Sequence, residues 1–190
     1  MSAKPKAAFI DRDGVINEER NYVYRIADFV LIPGVIEGLS LLRDAGYRLI
    51  VVTNQAGIAR GIYDHAEMER LHCYLREQLR AYGVVLDAIY FCPHHPAGNV
   101  KEFAVECVCR KPAPGMLLQA QKDFDLDLAA SVLIGDKVGD VQAGKRAGVG
   151  RNVLVESGHA LGSSDLCQAD LVAADLLAAA RVLTRNTGSF

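Results

Sequence analysis

An excess of positive charge is missing from this sequence. Lysine and arginine together number 21 against 23 aspartates and glutamates, for a net charge of −2, so a basic surface for nucleic acid is not expected. A leader is not expected either, because Lys4 and Lys6 precede only a short apolar run. No apolar stretch approaches the ~20 residues of a membrane-spanning helix. Internal repeats, low-complexity tracts and linker-like shifts in composition are also absent. These absences leave a soluble, cytoplasmic enzyme with no nucleic-acid or membrane partner as the expectation; a monomer acting on a small molecule is expected alongside. With 190 residues, 51% of them hydrophobic, one domain over 1–190 can bury a full core.

Cysteine is sparse, and its five copies are an odd number. Cys107 and Cys109 form a tight pair, which in a reducing compartment argues for metal rather than disulfides. Cys92, in the run Cys92-Pro93-His94-His95, adds a third thiolate with imidazoles beside it. Three thiolates and one imidazole make a closed tetrahedral zinc set, structural rather than catalytic. His94 and His95 compete for the fourth position. Cys73 falls in a helical stretch and reads as a small buried hydrophobe; Cys167 has no evident role.

Strand and helix signals alternate along the chain. Apolar runs predict strands at Lys6–Ile10, Arg48–Val52, Asp87–Phe91, Ser131–Gly135, Asn152–Val155 and a short one at Leu171-Val172. Pro33-Gly34 opens a helix through about Arg43. The capping box Asp64-His65-Ala66-Glu67 starts another that runs to about Tyr82. Pro114 suits the first turn of a third, a short helix follows Asp140, and an Ala/Leu-rich helix closes the chain before a tail at 185–190 that should fray. Strands separated by helices imply parallel pairing and a doubly wound α/β sheet. Two long loops, Asn17–Ile32 and Cys92–Pro112, are too short for a cap domain and long enough to be functional.

Four polar clusters each follow a predicted strand. Asp11-Arg12-Asp13-Gly14 puts two carboxylates on one side of an extended segment, at the carboxyl end where open parallel sheets carry their sites. Such a pair can divide nucleophilic attack from proton transfer. Thr53-Asn54-Gln55 offers a hydroxyl for a transferring group and an amide to position a carboxylate. Arg110-Lys111-Pro112 offers a planar fork for phosphate and a point charge. Gly135-Asp136-Lys137-Val138-Gly139-Asp140 supplies a carboxylate that, with Asp11, can hold Mg2+. Together they supply what phosphoryl transfer needs.

In this order, Asp11-x-Asp13-Gly14, Thr53-Asn54, Lys111 and Gly135-Asp136-x-x-x-Asp140 resemble the haloacid dehalogenase superfamily of aspartyl-phosphate phosphatases, over residues 7 to about 155. The resemblance implies a Rossmann-like fold without a large cap, Asp11 as nucleophile and Asp13 as general acid, then base. It further implies Thr53 and Lys111 steadying the phosphoryl group, with Mg2+ held by Asp11, the Asp13 backbone carbonyl and Asp136.

The zinc loop, about 92–109, runs straight into Arg110-Lys111-Pro112. With Asn54-Gln55-Ala56-Gly57-Ile58-Ala59-Arg60-Gly61 and Gly115-Met116-Leu117-Leu118, it is similar to the bacterial heptose bisphosphate phosphatases of nucleotide-heptose and lipopolysaccharide precursor synthesis. That family's Cys-x-His pattern favours His94 as the zinc ligand beside Cys92, Cys107 and Cys109. Its substrate contacts carry over to Asp11, Arg12, Asp13, Thr53, Asn54, Gln55, Ala56, Arg110, Lys111, Lys137 and the segment Glu19-Arg20-Asn21-Tyr22. Ala56 stands where a Ser is common, and no Gly precedes Tyr22. The rivals are a zinc-bearing histidinol-phosphate phosphatase and a non-catalytic zinc-stabilised interaction protein. The long interval from His94 to Cys107 favours the sugar bisphosphate over the first. The Asp11/Asp13 pair with Asp136 argues against the second.

Overall fold

A computed structural model describes residues 3–185. One six-stranded sheet, in the order β3-β2-β1-β4-β5-β6, is parallel throughout. Its strands are β1 Lys6–Ile10, β2 Tyr47–Asn54, β3 Ala88–Cys92, β4 Val132–Gly135, β5 Arg151–Val155 and β6 Leu171–Ala173. The longer helices are α1 Val35–Asp44, α3 His65–Arg80, α4 Gly115–Phe124, α5 Val138–Ala147 and α7 Leu176–Arg185. The single turns α2 Gly57–Arg60 and α6 Ser163–Leu166 complete the set. Among the described residues, no helix is long and apolar enough to cross a membrane.

Strand alternation builds two cores, one on each face of the sheet. Ala8 and Ile10 of β1, with Leu49 and Val51 of β2, face one cluster; Ala7, Phe9, Ile50 and Val52 face the other. The apolar stripe Leu71, Leu75 and Leu79 of α3 is wholly buried on the first face with Leu39 and Leu42 of α1. Each such leucine contributes roughly 1.5–3 kcal/mol by leaving water. Met116, Leu117 and Ala120 of α4 cover the second face. A third, smaller cluster of Ile58, Tyr63 and Met68 lies beside Tyr22, Phe91 and Phe103 and joins α2 to both long loops.

Four details differ from the sequence reading. Strand β2 continues through Thr53 and Asn54, paired with Phe91 and Cys92, so these polar residues are strand rather than loop. Helix α5 begins before Asp140, not after it. The Asp140 carboxylate accepts the Lys137 backbone N–H at 3.0 Å, a first-turn acceptor that no apolar periodicity announces. Cys73 is exposed rather than buried, because α3 turns Met68, Leu71, His72 and Leu75 inward instead. Beyond Arg185, the tail expected to fray lies outside the described residues.

Candidate active site

Strand order reverses at β1, which has β2 on one side and β4 on the other. The crevice at the carboxyl ends of these strands is therefore the natural ligand site. Asp11 leaves β1 with its N–H on the Ile134 carbonyl of β4, at 3.0 Å, so the ends of both strands meet at its carboxylate. A cleft of about 430 Å³ opens there, with Asp11, Asp13, Thr53 and Lys111 in its wall.

Gly14 is required at the turn after Asp13. Its φ is +84°, and a Cβ there would come within 2.4 Å of an Asp136 carboxylate oxygen. The turn closes on itself, because the Arg12 carbonyl accepts from Ile16 at 2.8 Å and Gly14 donates to Asn17 at 2.7 Å.

Asp11 Oδ1 accepts its neighbour's N–H, from Arg12, at 2.7 Å and pairs with Lys111 Nζ at 3.0 Å. None of the described residues donates to Oδ2, which is left open. Burial pushes the Asp11 carboxyl up to about 7; Lys111 opposes this, while Asp140, Asp136 and Asp13 add to it. Lys111 Nζ also meets Asp140 Oδ1 at 2.6 Å and the Val52 carbonyl at 2.7 Å, so all three ammonium hydrogens are engaged. Asn54 grips the Lys111 backbone from both sides, at 3.0 Å to its carbonyl and 3.0 Å from its N–H. The expectation that Asn54 positions a carboxylate is thereby corrected: the amide positions Lys111.

Asp13 rests ionised. Burial pushes its pKa up, but the Arg12 guanidinium, Asn17 and Gln55 together hold it below the usual carboxylate range. Arg12 reaches Asp13 at 2.9 Å and the Val23 carbonyl at 2.7 Å. Arg12 itself is wholly buried against Met68 and the Nε2 of His72. Burial, with the Arg12 charge, pushes His72 down to about 3, so a neutral ring accepts from the guanidinium. The Arg12 side chain is thus spent on Asp13 and stays out of the cleft, contrary to the contact expected of it. Gln55 Nε2 bridges Thr53 Oγ1 at 2.8 Å and Asp13 Oδ2 at 3.0 Å, and its other end accepts from Tyr63 at 2.6 Å. Because the Thr53 oxygen accepts this bond, its hydroxyl hydrogen stays available to a phosphate oxygen.

Asp11, Asp136 and Asp140 present carboxylate oxygens within 4.8 Å of one another. Asp136 Oδ1 is buried with no partner among the described residues, and burial raises its carboxyl. Three crowded carboxylates against one ammonium, one of them with an orphaned oxygen, fit a hard divalent cation. The second cluster is sulfur-rich. Cys92, Cys107 and Cys109 Sγ atoms lie 3.1–3.5 Å apart, and His94 Nδ1 is 3.4 Å from Cys109. Ligands about 2.3 Å from a tetrahedral zinc are spaced slightly wider, so the donor set fits that ion. His94 belongs to this cluster; the Nδ1 of His95 instead accepts the Ala97 N–H at 3.1 Å.

Around the cleft, Glu19, Asn21, Tyr22, Ala56, Arg110 and Lys137 all take wall positions. Arg20 does not, because it turns to Glu18 at 2.6 Å. Arg60, Tyr63, His95 and His159 join the wall although the sequence did not single them out as contacts. His159 follows β5, so the strand-end rule that found the other clusters reaches it too. Arg60 and Tyr63 arrive only through the packing of α2.

The sequence matches known proteins over most of its length. A HAD-hydrolase-like family profile matches residues 108–179. A D-glycero-alpha-D-manno-heptose-1,7-bisphosphate 7-phosphatase of Photorhabdus laumondii is 49% identical over 82% of this chain and 85% of its own. A D-glycero-beta-D-manno-heptose-1,7-bisphosphate 7-phosphatase of Escherichia coli K12 is 48% identical over 83% of each. Among solved structures, the D,D-heptose 1,7-bisphosphate phosphatase from B. bronchiseptica, complexed with magnesium and phosphate, superposes with a TM-score of 0.82. It is 34% identical and covers 95% of this chain and 99% of that one.

Proposed function

The chain belongs to the heptose-1,7-bisphosphate 7-phosphatases, within the haloacid dehalogenase-like hydrolases, and from that premise we propose that it removes the 7-phosphate of D-glycero-D-manno-heptose 1,7-bisphosphate through an aspartyl-phosphate on Asp11. The observation that carries the chemistry is a buried carboxylate with one oxygen bound to Lys111 and Arg12 and the other open to the cleft. Asp11 Oδ2 attacks phosphorus, the bond from phosphorus to the sugar oxygen breaks, and Asp13 gives that oxygen a proton. Asp13 rests as a carboxylate, so it must first take up this proton, which an adjacent phosphate anion favours by raising its pKa. Asp13 then takes a proton from water, which attacks the acyl phosphate, frees phosphate and restores Asp11. Thr53 and Lys111 steady the phosphoryl oxygens. Asp11, the Asp13 carbonyl and Asp136 would hold Mg2+, which offsets the charge on those oxygens.

A second phosphate on the substrate suits the rim. Arg60 and Arg110 both border the cleft, and neither meets a carboxylate among the described residues; Arg60 lies over the Tyr22 ring at 5.8 Å. Lys111, Arg12 and Lys137 are already paired. Cations left unpaired in a cleft call for an anion, which a 1-phosphate supplies. The product, a sugar 1-phosphate, has the chemistry a nucleotidyltransferase takes up, consistent with nucleotide-heptose synthesis. Phosphate release with Mg2+ should show a higher kcat/KM for either anomer of the heptose bisphosphate than for histidinol phosphate. Equal or faster turnover of histidinol phosphate would overturn the assignment.

Cys92, His94, Cys107 and Cys109 hold a structural Zn2+ in this reading. The Arg110 N–H donates to Cys107 Sγ at 3.3 Å, and its guanidinium reaches the His94 carbonyl at 3.2 Å, so the metal loop delivers Arg110 and Lys111. Misplacing reacting groups by about 1 Å can cost roughly 10²-fold. Cys107→Ala should release zinc, by elemental analysis, and lower kcat/KM on that order while turnover remains dependent on Mg2+. Full activity in a folded, zinc-free variant would remove this role.

A further inference from the structure

Asp136 borders the candidate cation site, yet it is wholly buried and shielded by the segment that follows β5. Gly158 packs so closely on it that a Cβ would come within 2.1 Å of Asp136 Oδ2 and 2.7 Å of the Gly14 Cα. Ser157 Oγ donates to the Gly14 carbonyl at 2.7 Å, tying this strap to the turn that carries Asp11 and Asp13. His159 Nδ1 then meets Asp136 Oδ2. An ionised carboxylate only accepts, so the ring nitrogen carries the hydrogen. The outcome is asymmetric, with Oδ2 occupied and Oδ1 buried without a partner among the described residues. The ring lies on the cleft wall with its side chain 41% exposed, while Asp136 is 0% exposed.

We infer that His159 is a positioning residue for the cation site: it holds Asp136 Oδ2 so that the carboxylate presents Oδ1 to the metal, and the Ser157-Gly158 strap fixes it to the catalytic turn. The inference rests on the Mg2+ reading above. A carboxylate free to rotate about its last bond loses orientation each time a cation binds. A fixed hydrogen bond on one oxygen removes that freedom beforehand, and loss of such a partner typically lowers metal affinity 10–100-fold. Nothing in the strap's packing needs the imidazole, since Gly158 and Ser157 make their contacts through other atoms.

The test is Mg2+ affinity of the full chain by isothermal titration calorimetry at one fixed pH. His159→Ala should weaken binding by about 10–100-fold. His159→Asn, whose amide nitrogen can stand where Nδ1 does, should recover much of that loss. Ser157→Ala should shift affinity in the same direction by less. Unchanged or tighter binding in His159→Ala, or an Asn variant as weak as Ala, would overturn the inference. If Asp136→Asn binds Mg2+ as tightly as the native chain, the metal reading falls and this inference with it. If affinity depends on Asp136 but not on His159, only the inference falls.

Discussion

Asp11→Asn is expected to abolish phosphate release, whatever the substrate. The amide cannot attack phosphorus, and it removes one of the three oxygens gathered for the cation. The exchange is nearly isosteric, and the Arg12 N–H can still donate to the remaining carbonyl oxygen, so the loss should not come from unfolding. Asp13→Asn should behave differently, keeping the nucleophile and losing the proton carrier, with turnover falling by about 10²–10⁴. The defect should shrink with an activated aryl phosphate, whose leaving group departs without a proton. Measuring kcat for both substrates in both variants separates the roles. Substantial turnover by Asp11→Asn would sink the covalent route.

Lys111→Ala should lower kcat by about 10²–10³. In the resting site this ammonium is fully engaged by Asp11, Asp140 and the Val52 carbonyl. When Asp11 oxygen bonds to phosphorus, its charge passes to the phosphoryl oxygens, and the Lys111 donor held by Asp11 can follow it. The interaction therefore strengthens towards the transition state, which places the loss in kcat. Removing Lys111 also leaves buried carboxylates unpaired, so folding is checked by circular dichroism and thermal melting before kinetics. Arg110→Ala, at the rim, should raise KM at least as much as it lowers kcat. The reverse pattern would exchange their roles.

Much of this site was legible because parallel α/β sheets concentrate chemistry at strand ends. Asp11, Thr53, Lys111 and Asp136 fall together by their strand ends alone. Local spacing could not say which way a side chain turns. Arg12 and Asp13 are adjacent, yet one is buried behind the other, because Met68 and His72 of a distant helix form its pocket. Asn54 was read by its chemistry and not by its partner, since the Lys111 backbone that its amide holds lies in a loop far along the chain. Arg60 enters the wall through a single turn too short to show periodicity, and Tyr63 through the bend just after it. His159 was missed for a different reason: Ser157-Gly158-His159 has no charge pair to attract notice, although it sits where the rule points.

The loop between His94 and Cys107 arches back over α2, where the Ala59 carbonyl accepts from both Asn99 and Val100 at 2.8 Å. A cross-link at the base of that arch uncouples its summit from its footings. Lengthening a closed loop costs little, about 0.6 kcal/mol per doubling, and the metal ligands at the base would keep Arg110 and Lys111 in place. The summit beside Arg60 is thus the stretch of loop where insertions or deletions would be cheapest to the fold. There the chain could change length without disturbing the carboxylates at the strand ends.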